Sequence, residues 1–298
     1  MKMPAISLLE WQQRFGEEES CAQALTNIRW PGGFMCPHCG TTKAYYIQTR
    51  KMYQCSKCRH QVSVTADTMF HSTNLPLVKW FWAIYLAAAD KGGISALRLC
   101  KQIKVSWPTA RNMLRKIRIA MGHRDSLSRL EKVIEFDDTV VGGKRTGKRG
   151  RGAKGKKPVL VAVETRGKHA GFVAMKAVDS VSKETVRKFL RYHVKDGQSV
   201  RTDALPALNV VQETQQHEKR VTPPEEASKW LPMVHIIISN MKSFVNGTFH
   251  GVSFKYLQEY LDEFCYRFNR RFWEPELPLR LLNACLVHSP VRLAENCL

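Results

Sequence analysis

The chain lacks any run near the roughly 18 consecutive apolar residues that a membrane-spanning helix needs. Its first residues, MKMPAISLLEWQQRFGEEES, carry too short an apolar stretch and an early acidic run, Glu17–Glu19, unlike a secretory leader. The expectation is a cytoplasmic protein with no membrane partner. Acidic residues are scarce: 26 Asp plus Glu stand against 47 Lys plus Arg, a net charge of +21. An excess of one sign on this scale points to a polyanionic partner, because neutralising phosphates releases condensed counterions; nucleic acid is expected. There is no internal repeat, which excludes a solenoid. Nor is there an even set of cysteines. Nine are present, and five of them (Cys21, Cys100, Cys265, Cys285 and Cys297) are scattered. That count points away from a disulfide framework and toward metal ligation plus buried thiols.

The remaining four cysteines form one pattern. CPHCG and YQCSKC place Cys36, Cys39, Cys55 and Cys58 at the spacing C-x2-C-x15-C-x2-C. Each pair is a knuckle whose two thiolates can point at one ion, and two knuckles complete a tetrahedron suited to zinc. Four thiolates leave no open position, so the zinc is expected to be structural. A module this short has little core, and metal binding supplies most of its folding energy. His38, His60 and His71 lie nearby and are not needed as ligands.

Residues 1–35 read as helical. After the cysteine module, LVKWFWAIYLAAADKGGISALRLCKQIKVSWPTARNMLRKIRIAMG has a helix-turn-helix rhythm. A first helix stops at Gly92-Gly93, and a second spans roughly 95–103. A third is capped by Ser106, with Pro108 in its first turn. Its Ala110, Leu114, Ile117 and Met121 recur at helical spacing and should face inward. Arg111, Arg115 and Arg118 form a parallel basic stripe suited to a DNA groove or backbone. Trp80, Phe81, Trp82 and Tyr85 read as core. A second basic element is GGKRTGKRGRGAKGKK, residues 142–157, with eight basic residues, six glycines and no acid. It reads as a flexible loop in which Lys144, Arg145, Lys148, Arg149 and Arg151 are candidate DNA contacts.

Residues 131–250 alternate between strand and helix patterns. KVIEFDDTVVGG, KPVLVAVETRG and AGFVAMKAVD read as three strands. SKETVRKFLRYHV follows as a helix capped by Ser182, and QSVRTDAL as a fourth, short strand. MVHIIIS is read as a fifth strand after a polar connection, with NMKSFVNGTF starting a helix opened by Asn240. This order is ribonuclease-H-like, an α/β class with a mixed sheet flanked by helices. It brings Asp137 of the first strand beside Asp203 at the end of the fourth, and the last helix over the same spot. Two neighbouring aspartates repel unless a divalent cation sits between them, and magnesium or manganese takes such oxygen ligands. By strand alternation Glu135 shares a face with Asp137 and is a possible helper, whereas Asp138 points the other way. His235 and His250 read as structural. Residues 253–272 form an amphipathic helix with Tyr256, Leu257, Tyr260, Leu261, Phe264, Cys265 and Phe268 on its apolar face. Arg267, Arg270 and Arg271 sit at its C-terminal end, suited to the helix dipole or to DNA phosphate.

Three stretches resemble one family. RWPGGFMCPHCG, IEFDDTVVGGK with VRTDA, and HIIISNMKSFVNGTFHGV followed by YLQEYLDEFCYRFNRR are similar to bacterial insertion-sequence transposases with a zinc ribbon and an ISXO-two-like catalytic domain. The resemblance implies a metal-dependent polynucleotidyl transferase that binds double-stranded DNA at element ends and target and cuts and joins strands. It also implies a homodimer or larger assembly on bacterial nucleoid DNA. In related transposases the third metal-binding residue is commonly Glu; one branch carries Asn with a nearby Lys. The resemblance therefore assigns Asp137, Asp203 and Asn240 to magnesium or manganese and adds Lys242 to the catalytic set. The alternative is a catalytically decayed or repurposed DNA-binding copy. The expected organisation is a helical segment 1–35, the ribbon 36–72, a helix-turn-helix-like segment 73–125, a ribonuclease-H-like domain 130–275 and a tail 276–298.

Overall fold

The computed structural model describes residues 3–142, 155–221, 223 and 226–290. The chain divides into two compact units. One runs from the N-terminus through Ala120 and resumes at Trp273; the other is Met121–Phe272.

In the first unit, α1 (Leu8–Phe15) begins at a capping box. The Ser7 hydroxyl accepts the Glu10 N–H, and the Glu10 carboxylate accepts the Ser7 N–H. Trp11 and Phe15 are buried against Phe81 and Tyr85 of α3 (Leu77–Ala89). Between them lie α2 (Glu18–Arg29) and a three-stranded antiparallel ribbon, β1 (Ala44–Ile47), β2 (Met52–Cys55) and β3 (Gln61–Ser63). The helical rhythm after the ribbon gives α3, α4 (Ala96–Ile103) and α5 (Trp107–Ser126). The Ser106 hydroxyl accepts the Thr109 N–H, as an N-cap does. Ala110, Leu114, Ile117 and Met121 are buried. The stretch read as a tail is instead a helix, α10 (Leu277–Val287), packed on α2 and α3.

The second unit is built on five strands. They are β4 (Val133–Val141), β5 (Lys157–Arg166), β6 (His169–Ala177), β7 (Ser199–Asp203) and β8 (Gln216–Arg220). Their spatial order is β6-β5-β4-β7-β8; the first three are antiparallel neighbours, and β7 and β8 run parallel to β4. With α6 (Lys183–His193) between β6 and β7, this is the ribonuclease-H-like order. Strand alternation sends Ile134 and Phe136 into a core with Val186, Phe189 and Leu190 of α6. Val141 and the odd residues of β5 face α8 (Pro232–Phe249) and α9 (Leu257–Asn269). The edge strand β6 is closed by side-chain amides from α9. Asn269 exchanges both backbone bonds with Val173, and Gln258 takes the Ala177 N–H and donates to the Met175 carbonyl. These amides substitute for a further strand and leave no open template there.

Two readings of the chain are corrected here. MVHIIIS is not a strand: it lies inside α8, whose buried residues Val234, Ile237, Ile238, Met241 and Val245 follow helical spacing while Ile236 is 52% exposed. The true fifth strand is the polar QHEKR of β8, an exposed sheet edge that needs no apolar residues. Asn240 accordingly opens no helix and sits in the third turn of α8. α9 also begins later than the expected 253 and ends at Asn269.

Candidate active site and zinc centre

The ribbon gathers its cysteines locally. Backbone bonds Gly40 N–H to Cys36 O (2.9 Å) and Arg59 N–H to Cys55 O (3.1 Å) close the two knuckles in the same way. The residues after each second cysteine, Gly40 and Arg59, adopt left-handed backbone with φ 71° and 60°. Glycine takes this conformation freely, while Arg59 bears a cost of about 1–2 kcal/mol that ligation must offset. Sulfurs approach across the knuckles at 3.6 Å (Cys36–Cys58) and 3.5 Å (Cys39–Cys55). A tetrahedral Zn–S length of about 2.3 Å sets sulfurs about 3.8 Å apart, so these four residues fit zinc. Hydrogen bonding with the Thr41 side chain and then its backbone draws the Cys39 thiol down to about 6, toward the thiolate that zinc takes.

The carboxylates are assembled over distance. Parallel pairing sets Phe136 beside Thr202, so Asp137 and Asp203 follow as the next neighbours on adjacent strands. Strands lie about 4.8 Å apart and in-register neighbours share a face, which puts both carboxylates on the α8 side of the sheet. Both are half-buried. Asp137 Oδ1 accepts the Asp138 N–H (2.8 Å), and Asp203 Oδ1 accepts the Leu205 N–H (3.1 Å). Asp138 faces the opposite side of the sheet.

Glu135 lies on the same face as Asp137 and is 2% exposed. Its Oε2 accepts the Val234 N–H at 2.8 Å, satisfying an orphan amide at the start of α8. Burial raises its carboxyl above the usual range, against the N–H groups of Val234 and Met233. Its side chain therefore fixes α8 on β4. Lys242 is half-buried on α8. Burial and then the Lys156 ammonium depress its ammonium below the ordinary lysine value, and the Asp137 carboxylate pulls it back, which places Lys242 within electrostatic reach of Asp137.

The other expected contacts divide. Asn240 is exposed and lies two residues from Lys242, about 200° around the helix at 3.6 residues per turn, so the two side chains leave α8 on different sides. Arg118 is buried at 4% exposure, which leaves Arg111 and Arg115 as the accessible part of its stripe. Arg111 lies over the ring of Trp107, itself 49% exposed. Lys144, Arg145, Lys148, Arg149 and Arg151 lie outside the described residues. The arginines at the C-terminal end of α9 are engaged internally: Arg267 pairs with Glu263, Arg270 with Asp125, and Arg271 donates to the carbonyls of Ala170 and Phe268.

The ISXO2-like transposase domain matches residues 129–269, and the transposase zinc-ribbon domain matches residues 16–61. The chain belongs to the insertion-sequence transposases with an N-terminal zinc ribbon. The first match spans β4, β7 and α8, so it contains Asp137, Asp203 and Lys242; the second contains all four cysteines. This transposase is 26% identical over 218 residues to an uncharacterized protein in transposable element ISH50 of Halobacterium salinarum, covering 67% of this chain and 71% of that one. Among solved structures it is similar to the Mos1 strand transfer complex at 12% identity and TM-score 0.29, covering 69% of this chain and 76% of that one. It is likewise similar to the Mos1 mariner paired end complex with Mn, at 12% identity and TM-score 0.28, over 65% and 74%. No helix of the described residues is long and apolar enough to cross a membrane.

Proposed function

We propose that the second unit of this transposase cuts and joins DNA strands at the ends of its element, with Asp137 and Asp203 holding magnesium or manganese. The observation that carries this reading is the placement of the two aspartates side by side on one face of parallel β4 and β7, under the lysine-bearing flank of α8. Hard, anionic oxygen donors fit these cations. When bound, such cations activate water or a 3′-hydroxyl and stabilise the leaving oxygen at phosphorus. The protein's own part is positional. Asp137 and Asp203 fix the place of attack, Lys242 grips a phosphate oxygen beside Asp137, and Glu135 locks α8 so that Lys242 stays there.

The net charge of +21 supports double-stranded DNA as partner. Arg111 and Arg115 on α5, with the basic segment around Lys144–Arg151, are the proposed contacts. Joining two ends requires two active sites, so a homodimer or larger assembly on DNA is proposed. The test is a strand-transfer assay with DNA flanking the reading frame and a supercoiled target plasmid. Covalent joining of element 3′ ends to the plasmid is expected. Cleavage without joining would reassign the site to a nuclease, and DNA binding with neither reaction would leave a binding protein alone.

A further inference from the structure

We infer that Arg220, at the end of β8, grips a DNA phosphate beside the bond cut at Asp137 and Asp203. The inference rests on the carboxylate reading of those two residues above. Its basis is a row of charged residues across the sheet and the tryptophan that holds one of them.

Asp203 pairs with Arg220 in the parallel register of β7 and β8, and Asp137 follows Phe136, the partner of Thr202. In-register neighbours share a face, so Asp137, Asp203 and Arg220 leave the sheet on the α8 side, with backbones about 5 Å apart from one strand to the next. Trp230, the last residue of α7 (Ala227–Trp230), gives independent evidence of that placement. Its indole N–H donates to the Thr202 carbonyl at 2.9 Å, and its ring packs on the core between the sheet and α8. The guanidinium carbons of Arg201 and Arg220 lie 5.6 and 5.8 Å from the centre of that ring. Arg220 is thus drawn along the sheet toward the Thr202–Asp203 stretch.

The two arginines on this tryptophan differ in what else they meet. Arg201 stands between Glu135 and Glu218 in its own row, and its Nε donates to Glu218 at 2.9 Å. That cation serves the fold. Arg220 has a 57% exposed side chain and stands 3.7 Å from Glu226, whose side chain is 49% exposed. An exposed ion pair at this separation contributes little, so a phosphate can displace Glu226. β8 is the last strand of its sheet, which leaves the guanidinium beside an exposed edge.

The chemistry suits a phosphodiester. A guanidinium presents a planar fork of N–H donors that matches two phosphate oxygens, and stacking on an aromatic face leaves that fork in plane and available. The indole also restrains a long side chain before DNA arrives, so less freedom is lost on binding. The two carboxylates alone would repel the DNA backbone. Arg220 sets a permanent positive charge at the end of their row, where it can draw a phosphate in and stabilise charge that develops on it.

The test uses the full-length, zinc-loaded protein and single-turnover nicking of DNA flanking the reading frame, with Mn2+ as the cation. Arg220→Ala should slow nicking by about 10- to 100-fold, as expected for a lost charged hydrogen bond, with Mn2+ affinity unchanged. Arg220→Lys should recover only part of the rate, because an ammonium has no fork. Neutral methylphosphonates are then placed one at a time around the mapped nick. One position should slow the wild type and have no further effect on Arg220→Ala. Wild-type nicking by Arg220→Ala, with Asp137→Ala and Asp203→Ala inactive, would overturn this inference alone. So would a slowed Arg220→Ala that keeps the wild-type sensitivity at every methylphosphonate, or that loses Mn2+ binding, since either makes the residue structural. Wild-type nicking by Asp137→Ala or Asp203→Ala would overturn the carboxylate reading, and this inference with it.

Discussion

The zinc centre and the proposed carboxylate site of this chain are made in opposite ways. The zinc ligands fall between Cys36 and Cys58, on two knuckles closed by their own backbone bonds, and their sulfurs stand 3.5 and 3.6 Å apart across the knuckles. The carboxylates of Asp137 and Asp203 come from strands joined through β5, β6 and α6, and meet only because β7 pairs in parallel register with β4. The first centre is a local object that makes its surroundings fold. The second depends on a sheet and on α8, which fold for reasons of their own and then hold the site.

If that contrast is right, stripping metal from each centre should act differently. Removing zinc with a chelator, or Cys36→Ser, should unfold the ribbon, since structural zinc contributes about 10–16 kcal/mol in isolated finger peptides. Hydrogen exchange should show lost protection in β1–β3 and retained protection in β4 and β5. Loss of protection throughout would erase the distinction.

The second unit should instead respond to a desolvated acid of its own. Asp262 on α9 is half-buried, and its desolvation pushes its carboxyl up to about 7. It accepts a hydrogen bond from Gln258 (2.7 Å), and Lys176, Asp125 and Glu259 stand around it. Gly122 lets it approach, since a Cβ there would meet Asp262 Oδ2 at 2.5 Å. The folded unit therefore binds a proton between about pH 4 and 7 that the unfolded chain has released. Stability should fall as pH rises through that window, by a few kcal/mol, and Asp262→Asn should reduce the slope. Urea melts at pH 5 and 8 check this; a slope of opposite sign would contradict a desolvated carboxyl at Asp262.

A smaller effect tests what holds α8. Glu135→Ala leaves the buried Val234 N–H without its acceptor and should cost about 1–3 kcal/mol. It should also impair DNA cleavage with the carboxylates intact, because Lys242 loses its fixed position. Unchanged stability and cleavage would mean that α8 is held by its apolar face alone.

How far each region was legible in the sequence follows from the same contrast. CxxC spacing states the zinc site outright. The first four strands of the second unit announce themselves by apolar runs between turn residues, and the juxtaposition of Asp137 and Asp203 follows from the strand order. The last strand and helix misled. Ile236–Ile238 is a short apolar run, and periodicity alone does not separate such a run from a buried strand. The longer window, Val234 through Val245, carries the helical spacing that the three isoleucines obscure. β8, GlnHisGluLysArg in composition, is an edge that shows no apolar face to read. Because the helix was begun too late, Asn240 was given a capping position and His235 was left in a strand.

The central claim is that Asp137 and Asp203 act together as one cation site. It is tested most directly by magnesium- or manganese-dependent nicking of the DNA flanking the reading frame, alongside a binding assay on the same fragment. Asp137→Ala and Asp203→Ala should each lower nicking by about 10³-fold, a loss of several kcal/mol of transition-state stabilisation, while DNA binding is retained. The double variant should be no worse than either single one, as for residues that work as a unit. Nicking at the wild-type rate in either variant would contradict the account.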